Sequence, residues 1–533
     1  MPIPAAPTAD DEECAVAAFM ADPATYPGCT SGVDVIETHV ARVFLVGDEV
    51  YKVKKRVRLP FLDFSTLEAR RRAIARELEI NQPHAPGLYL GLVPIVRRST
   101  GGLALGGDSE VVDWAVHMRR FPQEALLARI AEKGPLPDAL AKALADLAAR
   151  YHRTSPVAEA AEGAGVIAPV VLQLTEALGG ARSLVGAEVA RVFADRLARA
   201  FQQAAPHLDA RGRAGCVRRC HGDLHLGNIV LIDGAPVPFD ALEFSERLGT
   251  IDVLYDLAFL LMDLDYRGDR HAANVVLNAY AGAEPVGGEI EGLACLPLFL
   301  ACRAGVRAAV AIERTAQTEG AERDRQSDIV RRYAGLALSY LDPPPPVLVA
   351  VGGLSGTGKS TLAARLAAHI GQAPGALHVR SDVERKRLFG VPETQRLERQ
   401  HYRIGTAERV YSIVEDKARR ALGSGHAAIV DAVFAKPEER AAIEGVARES
   451  GCAFLGLWLT APAELLIERV ESRRGDASDA DRRVVKEQLR YDLGDISWIS
   501  IDAAGVPSQV LSAAEQALCD AGIILAERAP PRR

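Results

Sequence analysis

The chain has 533 residues, more than one hydrophobic core usually serves, so we expect two or three domains. Hydrophobic residues make up 48% and charged residues 25%, as in ordinary soluble globular proteins. The net charge of −7 disfavours a protein that coats nucleic acid, since such proteins are usually basic.

The N-terminus and the cysteines predict a cytoplasmic location. The first residues turn from Pro and Ala to acidic side chains and lack the basic-then-apolar order of a signal peptide. No uncharged apolar run reaches membrane-spanning length, which predicts no membrane partner. Cys216 and Cys220 lack a second ligand pair at zinc-site spacing, so we expect reduced thiols. The oligomeric state stays open.

The next part of the chain predicts a small β-rich lobe followed by a larger helical lobe. Residues 40–54 indicate a hairpin, Leu67–Asn81 a helix, and 88–96 and 111–118 two further strands. From residue 137 onward the pattern is helical, apart from short strands around 229–239. The basic stretch 211–219 reads as a solvated loop or a loop that faces phosphate.

Four consecutive prolines at 343–346 predict a linker, because proline cannot continue a helix. Strands then alternate with helices, which predicts an α/β domain with a doubly wound parallel sheet. The predicted strands are 347–351, 378–380, 427–431 and 454–459. The predicted domains are 1–342, with a small lobe at about 35–120 and a helical lobe at about 121–342, and 347–533.

The segment His221-Gly222-Asp223-Leu224-His225-Leu226-Gly227-Asn228 supplies groups for phosphoryl transfer. Such a reaction needs a carboxylate for the acceptor hydroxyl and oxygen ligands for Mg²⁺. Asp223 would face the acceptor, while Asn228 and Asp240, which follows a short hairpin, would hold the metal. The alternative is a polar turn before a hairpin.

Residues of about 35–335 resemble the aminoglycoside phosphotransferase family, a branch of the protein-kinase-like bilobal α+β fold. The resemblance implies that Asp223 is the catalytic aspartate and that Asp256 braces the catalytic loop. It also implies an ATP-binding lysine paired with a glutamate. We expect Lys52 rather than Lys54 to be that lysine, with Glu77 as its partner. These charges could instead be ordinary surface charges.

The resemblance further implies that the chain after Met118 receives the adenine. The sequence departs from the family pattern in two places. It has no GxGxxG between the first strands, and Asp240 is followed by Ala-Leu-Glu instead of Phe-Gly. Glu243 is then a ligand of metal or substrate, which we favour, or a salt-bridge residue.

A second phosphate motif follows the linker and lies between a predicted strand and a predicted helix at 361–370. Its glycines would let backbone N–H groups surround a phosphate at the helix N-terminus. Lys359 would contact the β- and γ-phosphates, and Ser360 would hold Mg²⁺. The predicted nucleotide-binding residues are Gly353, Ser355, Gly356, Thr357, Gly358, Lys359, Ser360 and Thr361.

Further charged residues separate a kinase from a simple ATPase. Asp382 follows a strand, where ligands bind in open α/β sheets, and suits an acceptor hydroxyl; a helix N-cap is the alternative. Arg385 would share its helical face, and Asp431 ends another strand as a metal ligand. The predicted phosphate lid, for which a solvated helix face is the alternative, comprises Arg469, Arg473 and Arg474.

This region, about 345–510, resembles P-loop kinases of the small-molecule and polynucleotide-kinase type, including zeta-toxin-like and gluconate-kinase-like members. Arg380-Ser381-Asp382 and Asp431-Ala432-Val433-Phe434 carry the likeness. The resemblance implies that Asp382 is the base on the substrate side. The order of the two domains resembles bacterial fusions of both kinase types.

We therefore predict a bifunctional ATP- and Mg²⁺-dependent kinase that acts on small-molecule hydroxyl acceptors, sugar-like or aminocyclitol-like. One alternative is a single kinase domain regulated by an ATP-binding or ATP-hydrolysing P-loop domain. Another is a polynucleotide-end kinase in the C-terminal half, which salt-sensitive oligonucleotide binding would indicate. Arg303 and Arg307 are candidates for acceptor binding.

Overall fold

The computed structural model describes residues 9–28, 32–38, 40–59, 62–99, 101–159, 163–473 and 475–523. It divides into two compact units. The first comprises Met1–Gly134, Thr154–Glu159 and Val217–Asp256. The second comprises Pro135–Arg153, Ala160–Cys216 and Leu257–Arg533, so most of the predicted helical lobe and the region after the prolines belong to one unit. The predicted domain limits stay a prediction.

Strands of the first unit come from its small lobe and from the catalytic segment. They are β1 (Asp34–Glu37), β2 (Ala41–Val46), β3 (Glu49–Lys54), β4 (Arg58–Leu59), β5 (Leu62–Asp63), β6 (Tyr89–Arg97), β7 (Leu103–Leu105), β8 (Glu110–Arg119), β9 (Val217–Arg219), β10 (Ile229–Ile232), β11 (Ala235–Pro238) and β12 (Thr250–Asp252).

Strands of the second unit follow the proline run. They are β13 (Val347–Gly353), β14 (Leu377–Arg380), β15 (Ala428–Asp431), β16 (Ala453–Thr460) and β17 (Ile499–Asp502).

Helices occur in both units. In chain order they are α1 (Ala9–Ala21), α2 (Leu67–Asn81), α3 (Leu127–Glu132), α4 (Asp138–Thr154), α5 (Gly163–Gly180), α6 (Arg182–Val185), α7 (Ala187–Arg213), α8 (Glu246–Gly249), α9 (Val253–Tyr266), α10 (Arg270–Ala283), α11 (Glu289–Gly292), α12 (Leu296–Ala316), α13 (Gly320–Tyr340), α14 (Lys359–Ala367), α15 (Ser381–Leu388), α16 (Ile404–Gly423), α17 (Pro437–Glu449), α18 (Ala463–Ser472), α19 (Arg482–Gln488) and α20 (Pro507–Asp520).

The small lobe is built on an antiparallel sheet with the order β1-β2-β3-β8-β6-β7 within the described residues. β2 and β3 pair as the predicted hairpin, which the structure confirms. α2 has the predicted bounds, because Thr66 caps its first turn by accepting a hydrogen bond from the Ala69 N–H at 3.1 Å. α1, which the sequence did not predict, buries Val16 and Met20 against this sheet.

The sheet of the second unit is parallel, with the order β14-β15-β13-β16-β17 among the described strands. β13 is buried along its whole length, which explains its continuous apolar sequence. The four predicted strands are confirmed to within two residues at their ends. β17 was missed because it is short and alternates Ile with polar residues.

Two other parts differ from the sequence-based expectation. The basic stretch 211–219 is not a loop: α7 ends within it, β9 occupies its last residues, and both Arg211 and Arg219 are buried. Two helical stretches, Gly163–Gly180 and Glu289–Ala316, meet the length and hydropathy of a membrane span. The apolar window of Glu289–Ala316 is 67% buried within the protein, as in a core helix, whereas that of Gly163–Gly180 is 28% buried. The seven cysteines in the described part of the chain are free thiols.

Candidate active sites

Residues 221–228 of the first unit are held in place by a buried carboxylate. Asp256, fully buried at the start of α9, accepts hydrogen bonds from the N–H groups of Gly222 at 2.8 Å and His221 at 3.2 Å. Gly222 has φ +84°, and a Cβ there would lie 2.7 Å from Leu242, so glycine is required. The structure thus gives Asp256 the bracing position that the resemblance implied.

Asp223 and Asn228 meet at the top of this segment. The Asn228 side-chain amide donates to the Asp223 carboxylate at 2.8 Å and to its backbone carbonyl at 3.0 Å. A 3₁₀ turn brings the two residues together. The amide orientation leaves the Asn228 carbonyl oxygen as the atom that can bind a metal ion.

Both candidate lysines contact the same glutamate. The Nζ atom of Lys52 lies 2.9 Å from Glu77 Oε1, and that of Lys54 lies 2.7 Å from Glu77 Oε2. Burial acts to raise the pKa of Glu77, but the two ammonium groups lower it to about 2. Glu77 therefore occupies its predicted place in the helix, with a second lysine beside the first.

A second carboxylate distinguishes the two lysines. Lys52 also contacts Asp240 at 2.5 Å, whereas Lys54 contacts Glu243 at 2.6 Å. The Asp240 side chain is 44% exposed, while those of Lys54 and Glu243 are 1% and 7% exposed. Glu243 is thus enclosed in a salt bridge, which supports the second of the two roles that the sequence left open for it. Its partner is a lysine 189 residues away.

Asp240 is presented by two residues that the sequence did not single out. Its backbone has φ +60°, a left-handed conformation that is uncommon outside glycine. The Asp240 N–H donates to the Tyr89 hydroxyl at 3.0 Å, and the next N–H, of Ala241, donates to Asn81 Oδ1 at 3.0 Å. β6 and α2 therefore fix the conformation of the Asp240 segment.

Met118 lies in β8 opposite Val50 of β3 and is buried. Its apolar cluster includes partly exposed side chains from the hairpin β2–β3 and from the segment around β11, namely Val43, Leu45, Val237 and Phe239. A predominantly apolar lining is typical of small-molecule sites. Arg303, in contrast, stacks on Phe259 at 4.7 Å within the second unit and is buried.

In the second unit, the glycine-rich loop joins β13 to α14. Gly356 has φ +90°, and a Cβ there would lie 2.6 Å from the Leu466 carbonyl oxygen, so the loop can pass only as glycine. Ser355 N–H donates to Gln488 Oε1 at 2.8 Å, and Lys359 Nζ donates to the Leu354 carbonyl at 3.0 Å. Burial lowers the pKa of Lys359, and nearby Asp431 and Asp382 partly offset this effect.

Ser360 is bound to Asp431, the carboxylate that ends β15. Its hydroxyl donates to Asp431 Oδ1 at 2.7 Å, and His378 Nε2 donates to the other oxygen at 2.6 Å. Burial acts to raise the pKa of Asp431, but the hydrogen bond from His378 and the charge of Arg380 hold it below its usual value. His378 was missed because nothing in a strand residue's sequence context marks it as a partner of Asp431.

Lys359, Ser360 and Asp431 line a cleft of about 1240 Å³. Asp382 and Arg385 line it, as predicted. Burial raises the pKa of Asp382, although a hydrogen bond from Ser478 and the charge of Lys359 act against this shift. The predicted nucleotide and lid residues that also line the cleft are Ser355, Gly356, Thr357, Gly358, Lys359, Ser360, Thr361, Arg469 and Arg473; Gly353 ends β13 behind them.

An acidic loop at 475–481, which the sequence analysis did not use, borders the same cleft. Asp476 contacts Arg380 at 2.9 Å and Arg473 at 3.7 Å. Asp479 accepts from Lys386 Nζ and the Tyr402 hydroxyl, both at 2.6 Å. The run Asp-Ala-Ser-Asp-Ala-Asp could have indicated this loop. Arg474, the third predicted lid arginine, lies outside the described residues.

Two family models match separate parts of the chain. Residues 41–292 match the phosphotransferase enzyme family, and residues 348–492 match a family described as an AAA domain. An uncharacterized protein of Mycobacterium tuberculosis is 32% identical over 486 residues, which cover 89% of this chain and 93% of the relative. This chain belongs to the same two-domain family. It is an ATP-dependent kinase with a protein-kinase-like N-terminal part and a C-terminal parallel-sheet P-loop part, as the sequence predicted.

Solved structures with partial likeness include kinases of both types. The GDP complex of aminoglycoside 2'-phosphotransferase-IIIa is 16% identical, covers 60% of this chain and 98% of its own, and has a TM-score of 0.37. A gluconokinase from Sinorhizobium meliloti is 19% identical, covers 33% of this chain and 93% of its own, and has a TM-score of 0.24.

Proposed function

We propose that the protein is a bifunctional phosphotransferase in which each half transfers the γ-phosphoryl group of ATP to a hydroxyl of a small-molecule acceptor. The observation that carries the proposal is that each site contains carboxylates, a neutral oxygen donor and a lysine close together, which are the groups that phosphoryl transfer requires. A domain that only sensed nucleotide would not need Asp382 beside the phosphate loop. The proposed setting is the cytoplasm, where ATP is the donor.

In the first site, Asp223 is the proposed base for the acceptor hydroxyl, and the Asn228 carbonyl and the Asp240 carboxylate would hold Mg²⁺. These hard oxygen donors fit the ion, and Asp240 is exposed enough to receive it. Lys52, oriented by Glu77, would bind the phosphates. The adenine would occupy the apolar layer near Met118. Bound Mg²⁺ would neutralise charge on the transferring phosphates.

In the second site, the loop N–H groups and Lys359 would bind the phosphates, and Ser360 with Asp431 would hold Mg²⁺. The Ser360–Asp431 hydrogen bond already brings two oxygens together at the C-terminal edge of the sheet. Asp382, whose pKa burial raises, is the proposed base. Arg469 and Arg473 would add positive charge over the phosphates.

The proposed acceptors are polar small molecules of the sugar-like or aminocyclitol-like class. The cleft of the second unit carries both arginines and carboxylates, including Arg385, Arg396, Asp382 and Glu398, which suits a ligand rich in hydroxyl groups.

The proposal is tested in the full-length protein with Asp223→Asn and Lys359→Ala, made separately. Each variant and the wild type are screened against a panel of polyols and aminocyclitols with γ-labelled ATP. We expect two distinct phosphorylated products from the wild type, one lost in each variant. Persistence of all acceptor phosphorylation in Lys359→Ala would contradict the bifunctional proposal and favour a regulatory P-loop domain.

A further inference from the structure

The strand β14 forms an edge of the parallel sheet in the second unit. Its Leu377 N–H bonds inward to the Ala427 carbonyl at 2.9 Å. Since successive backbone groups of a strand alternate in direction, Ala376 and His378 present theirs outward. An uncovered strand edge of this kind is a liability that folded proteins usually cover.

Two asparagines of α10 cover this edge. Asn278 Oδ1 accepts from the His378 N–H at 2.6 Å, while Asn278 Nδ2 donates to the Ala376 carbonyl at 3.2 Å. Asn274 Nδ2 donates to the same carbonyl at 3.1 Å and is buried. A side-chain amide thus replaces a neighbouring strand, with one acceptor and one donor at the correct spacing.

The covered residue is the one that orients the carboxylate of the second site. His378 donates its Nε2 proton to Asp431 Oδ2 at 2.6 Å, and the other Asp431 oxygen accepts from Ser360. The His378 side chain is 9% exposed and that of Asp431 is 6% exposed, so solvent does not compete for these bonds. His378 therefore links α10, through its backbone N–H, to Asp431 and Ser360, through its ring.

We propose that His378 and Asn278 are positioning residues of the P-loop site, with Asn278 supplied by the part of the chain that precedes the proline run. Asn278 fixes the backbone at residue 378, His378 then fixes the carboxylate plane of Asp431, and Asp431 meets the metal ion in one orientation. This inference rests on the proposed metal-binding role of Asp431. Neither residue contacts the nucleotide in this scheme.

The physical basis is the restriction of side-chain rotamers. A carboxylate with one oxygen bonded to His378 cannot rotate without breaking a short, charge-assisted hydrogen bond. Partners that orient metal ligands change metal affinity or activity by about 10–100-fold when they are removed. The effect should therefore be found in the metal dependence of nucleotide binding more than in nucleotide binding itself.

The test measures ADP binding to the full-length protein by calorimetry, with and without Mg²⁺. The heat of ADP binding that the wild type shows and Lys359→Ala lacks is assigned to the P-loop site. In the wild type, Mg²⁺ should strengthen ADP binding there. His378→Ala should reduce this enhancement about 10-fold or more, and Asn278→Ala should reduce it by a smaller factor, while metal-free ADP affinity stays within about twofold.

Two controls separate positioning from folding. His378→Gln keeps an N–H donor and should restore much of the enhancement. Arg420→Ala removes the ion pair between α16 and Glu291 of α11, at 2.5 Å, which joins the same two parts of the chain without touching β14. Arg420→Ala should leave the enhancement unchanged.

The outcomes distinguish this inference from the proposed function. If Lys359→Ala removes no ADP heat, the nucleotide role of the site itself is wrong. If Lys359→Ala removes it but His378→Ala keeps the full Mg²⁺ enhancement, the positioning role is wrong. A parallel loss of affinity with and without Mg²⁺, together with a lower melting temperature, would show a structural role only and would also overturn the inference.

Discussion

The Nζ atom of Lys52 lies 2.5 Å from Oδ1 of Asp240, although 188 residues separate the two in the chain. Burial opposes the charge of Lys52, but Asp240 and Glu77 raise its pKa well above the ordinary value. The cation proposed for phosphate thus holds the carboxylate proposed for Mg²⁺. We expect a bound magnesium nucleotide to break this contact, so that Lys52 then contacts the phosphates and Asp240 contacts Mg²⁺.

Lys52 and Lys54 should respond differently to removal of their charge. Lys52→Met leaves Glu77 paired with Lys54, so we expect a small loss of stability but a fall of about 100-fold or more in kcat/KM for ATP at the first site. Lys54→Met leaves Glu77 with Lys52 alone and removes the buried partner of Glu243. This change should lower the free energy of unfolding by about 3–5 kcal/mol. Thermal unfolding and kinetics on both variants check this. Equal stability losses in the two would contradict the assignment.

Asp382→Asn should reduce the second activity by about 100- to 10,000-fold while ADP binding remains. Because the base must be deprotonated, activity should fall as pH drops through the raised pKa of Asp382. Ser478→Ala removes a hydrogen bond that lowers this pKa, so the acid limb of kcat/KM should move to higher pH. A pH–rate profile tests the direction; a shift to lower pH in Ser478→Ala would exclude Asp382 as the base.

Gly356 and Gly358 have the same φ of +90°, yet they should differ in their tolerance of alanine. A Cβ at Gly356 meets the Leu466 carbonyl, whereas a Cβ at Gly358 meets nothing within 4 Å. We expect Gly356→Ala to abolish ADP binding at this site. Gly358→Ala should weaken ADP binding by only about 1–2 kcal/mol, from the left-handed backbone alone. Calorimetric titration of the two variants compares them directly, and equal effects would count against the steric explanation.

Buried His426 should make stability depend on pH. Burial lowers its pKa to about 4, while its Nε2 donates to the Gly375 carbonyl at 2.9 Å. Because the folded-state pKa is depressed, the stabilisation is complete above the unfolded value of about 6.5 and is lost as pH falls towards 4. The loss should reach about 3 kcal/mol. Urea unfolding across this range should show a slope that His426→Gln flattens.

The exposed His207 provides the matched control for that measurement. His207→Gln should keep the slope of the wild type between pH 6.5 and 4. An unchanged slope in His426→Gln would show that another group causes the acid sensitivity.

Local sequence was sufficient for the groups that lie close together in the chain. Asp223 and Asn228 share one short segment, and the phosphate loop follows a strand and opens a helix, so spacing alone predicted their proximity. The same holds for α2, whose capping threonine and following proline are both visible in the sequence. The conformation of these elements is determined by residues that lie close to them in the sequence.

Groups that meet across the chain were not predictable in this way. Glu243 looked like a ligand because its partner Lys54 is far away in sequence, and His378 had no visible role because Asn278 is 100 residues before it. Tyr89 and Asn81 likewise act on Asp240 only through the fold. α1 was missed because its apolar residues Val16 and Met20 acquire their buried partners only from the small-lobe sheet.

The amide cover over β14 also determines what a cut at residues 343–346 would do. The excised C-terminal fragment would lose α10, and the Ala376 carbonyl and the His378 N–H would face water. Bare strands of this kind recruit strands from other molecules. We therefore expect the isolated fragment to self-associate through intermolecular strand pairing, in addition to losing the contact with Asn278 that fixes residue 378.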